Sequence, residues 1–296
     1  MSGTNRSPLA RALGDALRQA RLEKGLTVRE VARRLDVNHA PISRNESGAR
    51  IPKPDEVATL LGAIGADSGS RERIMTMARD VDRENWAAVG SSVAPTQLDT
   101  LVKYENEAQT ITDVNPLLVP GLLQTRDYAY AIMRFGDTPE TVATKAVLHR
   151  LGRQSALSGP TAPKFTAILA ESALIQRIGS RMIMADQLDH VVDRAKSSNI
   201  SVRVLPIAAG YHAALMGGWF LLEFDDAPPV VHLEHVDSGT FAHTRRTTRS
   251  FLEAKDSLLS VAMSAEDSVR LIATHAAHHR QGDDLYDRTS RTSTVA

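Results

Sequence analysis

The stretch GLTVREVARRLDVNHAPISRNESG, residues 25–48, determines how the first part of this chain folds. Within it, Thr27 and Glu30 have the spacing of a capping box, in which each side chain accepts a hydrogen bond from a backbone N–H that a helix start leaves free. The sequence therefore predicts a short helix that begins after Thr27 and ends near Leu35.

A further helix is predicted after the turn at residues 36–37, because Asn38 is a good N-cap and Pro41 falls in the first turn, where a missing N–H costs little. At 100° per residue, one side of this helix carries Ile42, Asn45 and Glu46. The opposite side carries Ala40, Ser43, Arg44 and Ser47. That second side is small, polar and basic, which favours insertion into the major groove of DNA.

Two more helices flank this pair. Apolar residues recur at helical spacing over residues 9–24, and Gly25 then provides the residue type that tolerates a left-handed helix end. Downstream, Pro54 opens a helix that carries an apolar stripe as far as Ile64. We therefore interpret residues 1–66 as an all-α helix-turn-helix DNA-binding domain, referred to below as the head.

Over some fifty residues, the head resembles the lambda-repressor-like, xenobiotic-response-element type of helix-turn-helix regulator. The matching residues are Gly25-Leu26-Thr27, Glu30-Val31-Ala32, Leu35 and Ile42-Ser43-Arg44-Asn45-Glu46-Ser47-Gly48. The resemblance implies that His39, Ala40 and Arg44 contact base edges. It also implies that Arg29 and Ser43 lie near phosphates and that Arg21 pairs with Glu46 inside the domain. We expect Thr27 and Asn38 to be DNA-binding residues too.

Two residues of the head depart from that family pattern. Asn45 stands where such heads bury an aliphatic residue, and an unpaired buried amide costs about 1–3 kcal/mol. Asn45 is therefore either rotated to the rim of the domain or a source of lower stability. Val28 replaces a glutamine that often contacts phosphate, so that either Arg29 or Thr27 makes this contact or it is not made.

The distribution of charge supports a polyanionic partner at one end of the chain. Residues 1–66 carry eleven Lys or Arg and seven Asp or Glu, a net charge of +4, and the remaining residues carry −4. The sequence has no cysteine, which excludes disulfides, thiolate nucleophiles and cysteine-bound metals. Because the first residues also lack the apolar core of a secretory signal, we expect a cytoplasmic protein associated with the nucleoid.

Beyond the head, we expect a linker at residues 67–95, with a charged helix at 71–83 and a flexible joint at 90–92. Residues 96–275 then show the alternation of helices and strands typical of an α/β domain. The predicted helices are 98–111, 125–135, 138–157, 182–196 and 245–263. The predicted strands are 165–170, 200–205, 219–224 and 230–234. Residues 276–296 show no periodicity and are expected to be a disordered tail.

This second domain looks like the C-terminal domain of actinobacterial regulators of the WhiJ kind. The matching segments are 118–125, Tyr128-Ala129, Arg153-Gln154, 171–174, Gln187-Leu188, 204–206 and 220–224. The resemblance implies a non-enzymatic domain that receives a small partner protein of the BldB kind, often encoded next door. An antitoxin-like module that neutralises such a partner is the alternative function.

Two apolar segments of this domain leave more than one interpretation open. The first, residues 117–123, lies between prolines and offers aliphatic side chains to the core or to a partner, and the core is favoured. The second, residues 208–218, holds Tyr211, His212 and Met216, and it is either a surface loop or a site for a ligand or partner.

Sequence patterns typical of metal sites, cofactor sites and enzymes are missing. The run His232-Leu233-Glu234-His235 is not a zinc-hydrolase motif, and on a strand its two histidines point to opposite faces. We therefore expect no enzyme activity, no metal and no cofactor.

Residues 204–222 lack charges, but Pro206 and several glycines interrupt them, so that a strand, loop and strand are expected instead of a membrane span. One head reads only a few base pairs, so we also expect a homodimer on double-stranded DNA.

Overall fold

The computed structural model of the protein describes residues 8–80, 85–89, 94–235 and 238–282. The chain divides into two compact units, each built from two segments. The first unit comprises residues Met1–Tyr104 and Glu223–Arg249, and the second comprises Glu105–Leu222 and Ser250–Ala296. The first unit thus combines the head with residues 223–249, which the sequence pattern assigned to the α/β domain.

The head is helical, as the sequence predicted. With helices and strands numbered in chain order, its helices are α1 (Pro8–Glu23), α2 (Val28–Arg34), α3 (His39–Glu46) and α4 (Pro54–Ile64), and α5 (Ser68–Asp80), from the predicted linker, packs with them. They enclose a core of fully buried aliphatic side chains, which includes Leu13, Leu17, Val31, Ile42, Leu61 and Ile74. Because burial of such side chains is the main stabilising contribution in a small domain, this core fixes how the helices pack.

Local capping determines where α2 and α3 begin. The Thr27 hydroxyl accepts a hydrogen bond from the Glu30 N–H, and the Asn38 side chain accepts one from the Ala40 N–H. Between the two helices, Asp36 adopts a left-handed conformation with φ of 54°, which aspartate tolerates better than most residues. The capping residues named from the sequence, Thr27 and Asn38, are therefore the residues at which α2 and α3 start.

A strand ladder completes the described part of the first unit. Strand β7 (Ser238–Ala242) pairs antiparallel with both β1 (Asn85–Val89) and β6 (Val230–His235). Strand β1 lies inside the predicted linker at residues 67–95 and was not predicted from the sequence. This strand is short and contains two consecutive alanines, so that its sequence carries little β signal. The joint predicted at residues 90–92 lies outside the described residues.

In the second unit, the sheet order is β5-β2-β3-β4, formed by β2 (Thr110–Asn115), β3 (Lys164–Ala170), β4 (Ile200–Leu205) and β5 (Trp219–Glu223). Strand β3 lies parallel to β2 and to β4, with Phe165 opposite Ile111 and Ile200. The predicted α/β class is confirmed. The helix predicted over residues 98–111 is wrong at its end, because α6 (Ala94–Glu107) stops before β2 begins.

The remaining helices are α7 (Arg126–Met133), α8 (Glu140–Arg153), α9 (Ser172–Ile175), α10 (Arg181–Arg194), α11 (Arg245–Val261) and α12 (Ala265–Gln281). The expectation of a disordered tail from residue 276 is wrong as far as Gln281, and residues 283–296 lie outside the described part of the chain. Helix α12 starts at a Ser264 N-cap, and it buries Ile272 and His279 two turns apart. The pair His278-His279 near its end made the sequence of this helix look like a polar tail.

The connection between α11 and α12 covers β4, which is the edge strand of this sheet. The Val204 N–H donates to the Ser268 hydroxyl, and the Met263 N–H donates to the Val204 carbonyl, both at 2.9 Å. Arg203 also donates to the carbonyls of Leu259 and Ala262 near the end of α11. Ser268 is completely buried, so these bonds are shielded from water. None of the helices in the described ranges is long and apolar enough to cross a membrane.

Candidate nucleic-acid interface

Helix α3 has two chemically distinct sides. The residues that point to solvent are His39, Ala40, Ser43, Arg44 and Ser47. The residues packed into the head are Ile42, Asn45 and Glu46, all less than 10% exposed. Thr27, Arg29 and Asn38 are exposed too. The structure therefore brings all seven of the proposed DNA-binding residues to the accessible surface of α2, α3 and their caps.

A buried ion pair holds α3 against α1. Arg21 donates from Nε and Nη2 to the two carboxylate oxygens of Glu46, each at 2.7 Å, and both side chains are 8% exposed. Its Nη1 donates to the Leu26 carbonyl, where the chain enters α2. This is the pair expected from the sequence. Because a two-bond guanidinium–carboxylate contact fixes orientation as well as distance, it sets how α3 presents its outer side.

A close backbone approach between α1 and α3 supports the same geometry. A Cβ atom at Gly14 would lie 2.5 Å from the Asn45 carbonyl oxygen and 2.9 Å from that of Glu46. Only glycine fits at this crossing without moving one of the helices. Gly14 was not predicted from the sequence, although an isolated glycine inside a helix often indicates close packing.

Asn45 is buried, so its rotation to the rim, one of the two alternatives, is wrong. Its side-chain oxygen accepts a hydrogen bond from Arg50 at 3.0 Å, and Arg50 also donates to both carboxylate oxygens of Glu56 at 2.6 and 2.9 Å. The hydrogen bond from Arg50 lowers the pKa of the Glu56 carboxyl group. Asn45 thus has a partner for its acceptor, which avoids the cost of an unpaired buried amide oxygen.

The N-terminus of α2 is already occupied by a carboxylate of this chain. The backbone N–H and the hydroxyl of Thr27 both donate to Glu30 at 2.7 Å. The backbone bond, followed by the side-chain bond, lowers the pKa of Glu30. A DNA phosphate at Thr27 would have to displace this carboxylate, whereas Arg29 is exposed and cationic. Of these two residues, only Arg29 is accessible to a phosphate without displacing a carboxylate.

In the second unit, the loop between β4 and β5 displays large apolar side chains. Tyr211 and Met216 are both 79% exposed, and Ile207 and Leu215 are more than half exposed. His212 lies between them, and its Nδ1 atom has no hydrogen-bond partner among the described residues. An exposed apolar loop of this kind is a candidate contact surface for a ligand or a partner.

The motif at residues 118–125 serves mainly to build the second unit. Gln187 accepts a hydrogen bond from the Thr125 N–H and donates to the Leu123 carbonyl, at 2.6 and 2.7 Å. Gln124 donates to the Val119 carbonyl at 2.7 Å. Three apolar residues of this segment are completely or almost completely buried: Val119, Leu122 and Leu123. The favoured interpretation as core therefore applies to most of the segment, whereas Leu117 is exposed.

The described ranges contain no candidate metal site. Among these residues, no group of three His, Cys, Asp or Glu side chains is arranged to hold a metal ion. His232 is buried and packs against Phe241, with 4.5 Å between the ring centroids. Its environment is that of a core aromatic residue.

Comparison with known protein families identifies both parts of the chain. A family model described as a domain of unknown function, DUF5753, matches residues 98–274, which is more than half of the chain. The chain belongs to the DUF5753 family. A second model, described as a helix-turn-helix domain, matches residues 12–74 and includes the whole of α2, α3 and α4. This DUF5753 protein therefore carries a helix-turn-helix domain at its N-terminal end, which supports a DNA-binding regulator.

Comparison with curated proteins finds no match. Among solved structures, TrmBL2, an archaeal chromatin protein with a novel mode of DNA binding, is 14% identical with a TM-score of 0.29. The match covers 71% of this chain and 65% of that chain, slightly under two thirds of its length. A similarity this low carries no argument about the fold or function of the DUF5753 protein.

Proposed function

We propose that the protein is a sequence-specific, DNA-binding transcriptional regulator of the xenobiotic-response-element type. The observation that carries the proposal is the two-sided α3, whose polar and basic side is exposed while Arg21 and Glu46 fix its inner side. In this proposal, α3 enters the major groove, and its N-terminal half faces the base edges. The protein acts without catalysis, in the cytoplasm at the nucleoid.

The exposed residues divide into two roles. Arg44 reads guanine through the two donors that match O6 and N7, and His39 and Ala40 contact neighbouring base edges. Arg29 contacts the phosphate backbone, and Ser43 and the Asn38 amide lie next to it. The Asn38 oxygen is already used to cap α3, so that only its NH₂ group is available to DNA.

Arg44→Ala and Arg29→Ala should weaken DNA binding in different ways. We expect Arg44→Ala to lose about 1–3 kcal/mol on the cognate site and to relax preference at one base pair. Arg29→Ala should weaken cognate and scrambled duplexes equally and reduce the salt dependence by about one phosphate contact. The dissociation constants are measured on both duplexes at two salt concentrations. Arg126→Ala, an exposed change on α7, is the control and should have no effect.

If Arg44→Ala loses the same affinity on cognate and scrambled duplexes, Arg44 is only a phosphate contact, and base recognition passes to His39 and Ala40. If neither arginine variant differs from the Arg126→Ala control, the head does not bind DNA through α3.

The protein should bind its operator as a homodimer. A single head covers a few base pairs, and two symmetric half-sites about 34 Å apart supply the remaining specificity. Mass photometry of the full chain with and without operator duplex gives the stoichiometry directly. One chain per duplex at saturating protein would contradict the dimer.

We further propose that the DUF5753 domain receives a small partner protein, of the kind that BldB represents in WhiJ-like regulators, or a ligand. The exposed loop with Tyr211, His212 and Met216 supports this, because an apolar surface in contact with water is energetically unfavourable unless a partner or ligand covers it. Replacing Tyr211 and Met216 with serine should abolish co-purification with the small protein encoded next door. Leu148→Ser, an exposed apolar change on α8, is the matched control.

Partner binding that survives the double serine change would place the contact elsewhere on the domain. If the partner is toxic and co-expression suppresses that toxicity without any DNA binding, the antitoxin-like alternative replaces the regulator.

A further inference from the structure

The head contains a cavity of about 480 Å³ between the α2–α3 turn, α3 and α4. The residues that provide its apolar lining are Leu35, Val37, Pro41, Ile42, Leu60 and the methyl-bearing Thr59. This volume and this mostly apolar lining are those of sites that take small molecules.

The polar groups of the cavity are not balanced in charge. Its lining includes Arg50 together with two carboxylates, Asp55 and Glu56, which leaves one excess negative charge. Glu56 is already paired with Arg50 at 2.6 Å. The Asp55 carboxylate makes no hydrogen bond or ion pair with any residue in the described ranges. The cavity therefore offers one unpaired anionic group beside an apolar wall.

We infer that this cavity binds a small apolar molecule that carries one cationic group. The apolar body packs against Ile42 and Leu60, and the cation lies beside Asp55. An anionic ligand is disfavoured because it would approach Asp55 without a free basic partner, since Arg50 is engaged by Asn45 and Glu56.

The position of the cavity gives its occupant a role in regulation. Pro41, Ile42 and Asn45 line it from the inner side of α3, the helix whose outer side carries Arg44. A ligand there contacts the back of the proposed reading helix, so that occupancy and DNA binding are coupled. This last step rests on the proposed function, whereas binding in the cavity does not.

The test uses three probes of the same shape and different charge: 1-naphthylmethylamine, 1-naphthylmethanol and 1-naphthoate. Isothermal titration of the full chain should give the order of affinity amine, alcohol, carboxylate. Asp55→Asn should weaken the amine about fivefold and leave the alcohol unchanged. Thr59→Trp, an exposed change that fills the mouth of the cavity, should weaken all three probes at least about tenfold. Thr76→Trp on α5 is the matched control, since it is exposed but does not line the cavity.

The proposal is overturned if none of the probes binds saturably, if the carboxylate binds best, or if Thr59→Trp and Thr76→Trp have equal effects. These titrations contain no DNA, so their results are independent of whether the head binds an operator. The regulatory step is tested separately, by measuring the operator dissociation constant with and without saturating amine. An unchanged constant, with binding of the amine intact, would overturn that step alone.

Discussion

Glu46→Ala is expected to destabilise the head by about 3–5 kcal/mol. The substitution leaves the Arg21 guanidinium 8% exposed and without its carboxylate, with the Leu26 carbonyl as its remaining partner in the head. A buried charge that loses its partner keeps its desolvation cost, which is why the loss is larger than for a surface pair. Hydrogen exchange at the amides of α1 and α3 in the full chain reports the free energy of opening of the head.

Two further variants separate the effect of burial on stability from the effect of charge. Glu266→Ala removes an exposed carboxylate paired with Arg270, and it should cost only about 0.5 kcal/mol or less. The double change Arg21→Met with Glu46→Leu removes both charges, and it should recover much of the loss. If Glu46→Ala costs no more than Glu266→Ala, the pair does not determine how α3 packs on α1.

Arg153→Met should have an effect of similar size on the DUF5753 domain, about 3–5 kcal/mol. Arg153 donates to the two carboxylate oxygens of Glu105 at 3.0 and 2.6 Å, and Glu105 is completely buried. Methionine keeps most of the side-chain volume, so that the loss reports the unpaired Glu105 carboxylate instead of a cavity. The measurement is the hydrogen-exchange free energy at β2 and β3.

Arg280→Met is the matched control for this change, because Arg280 pairs with Asp189 at the surface, where both side chains are nearly half exposed. It should cost less than about 1 kcal/mol. If Arg153→Met costs no more than Arg280→Met, the loss does not come from the buried Glu105 carboxylate.

The head could be predicted in detail because its signals are local. Thr27 with Glu30 and the cap at Asn38 each act within three residues, so that sequence spacing alone places α2 and α3. The hydrogen-bond network from Asn45 through Arg50 to Glu56 could not be predicted in this way. Arg50 and Glu56 lie five and eleven residues further on, and only the packing of α4 brings them together.

Strand β2 and helix α12 could not be predicted from local sequence signals. Strand β2 buries Thr112 and Asp113, so that its sequence lacks the apolar alternation of an ordinary strand. Helix α12 buries His275 and His279, which are polar in the sequence but inaccessible in the fold. In both elements the tertiary environment accepts polar side chains that a pattern based on hydrophobicity assigns to the surface.

The covered edge at β4 restricts how copies of this protein can associate. A strand added from another chain needs free N–H and carbonyl groups along the outer side of a sheet. The N–H and the carbonyl of Val204 are already bound, to Ser268 and to Met263. A strand from another chain would have to displace the start of α12 before it could pair here. Assembly by continuation of the sheet through Val204 is therefore costly. The dimer proposed above to bind a symmetric operator therefore has to be joined through contacts other than a strand added at Val204.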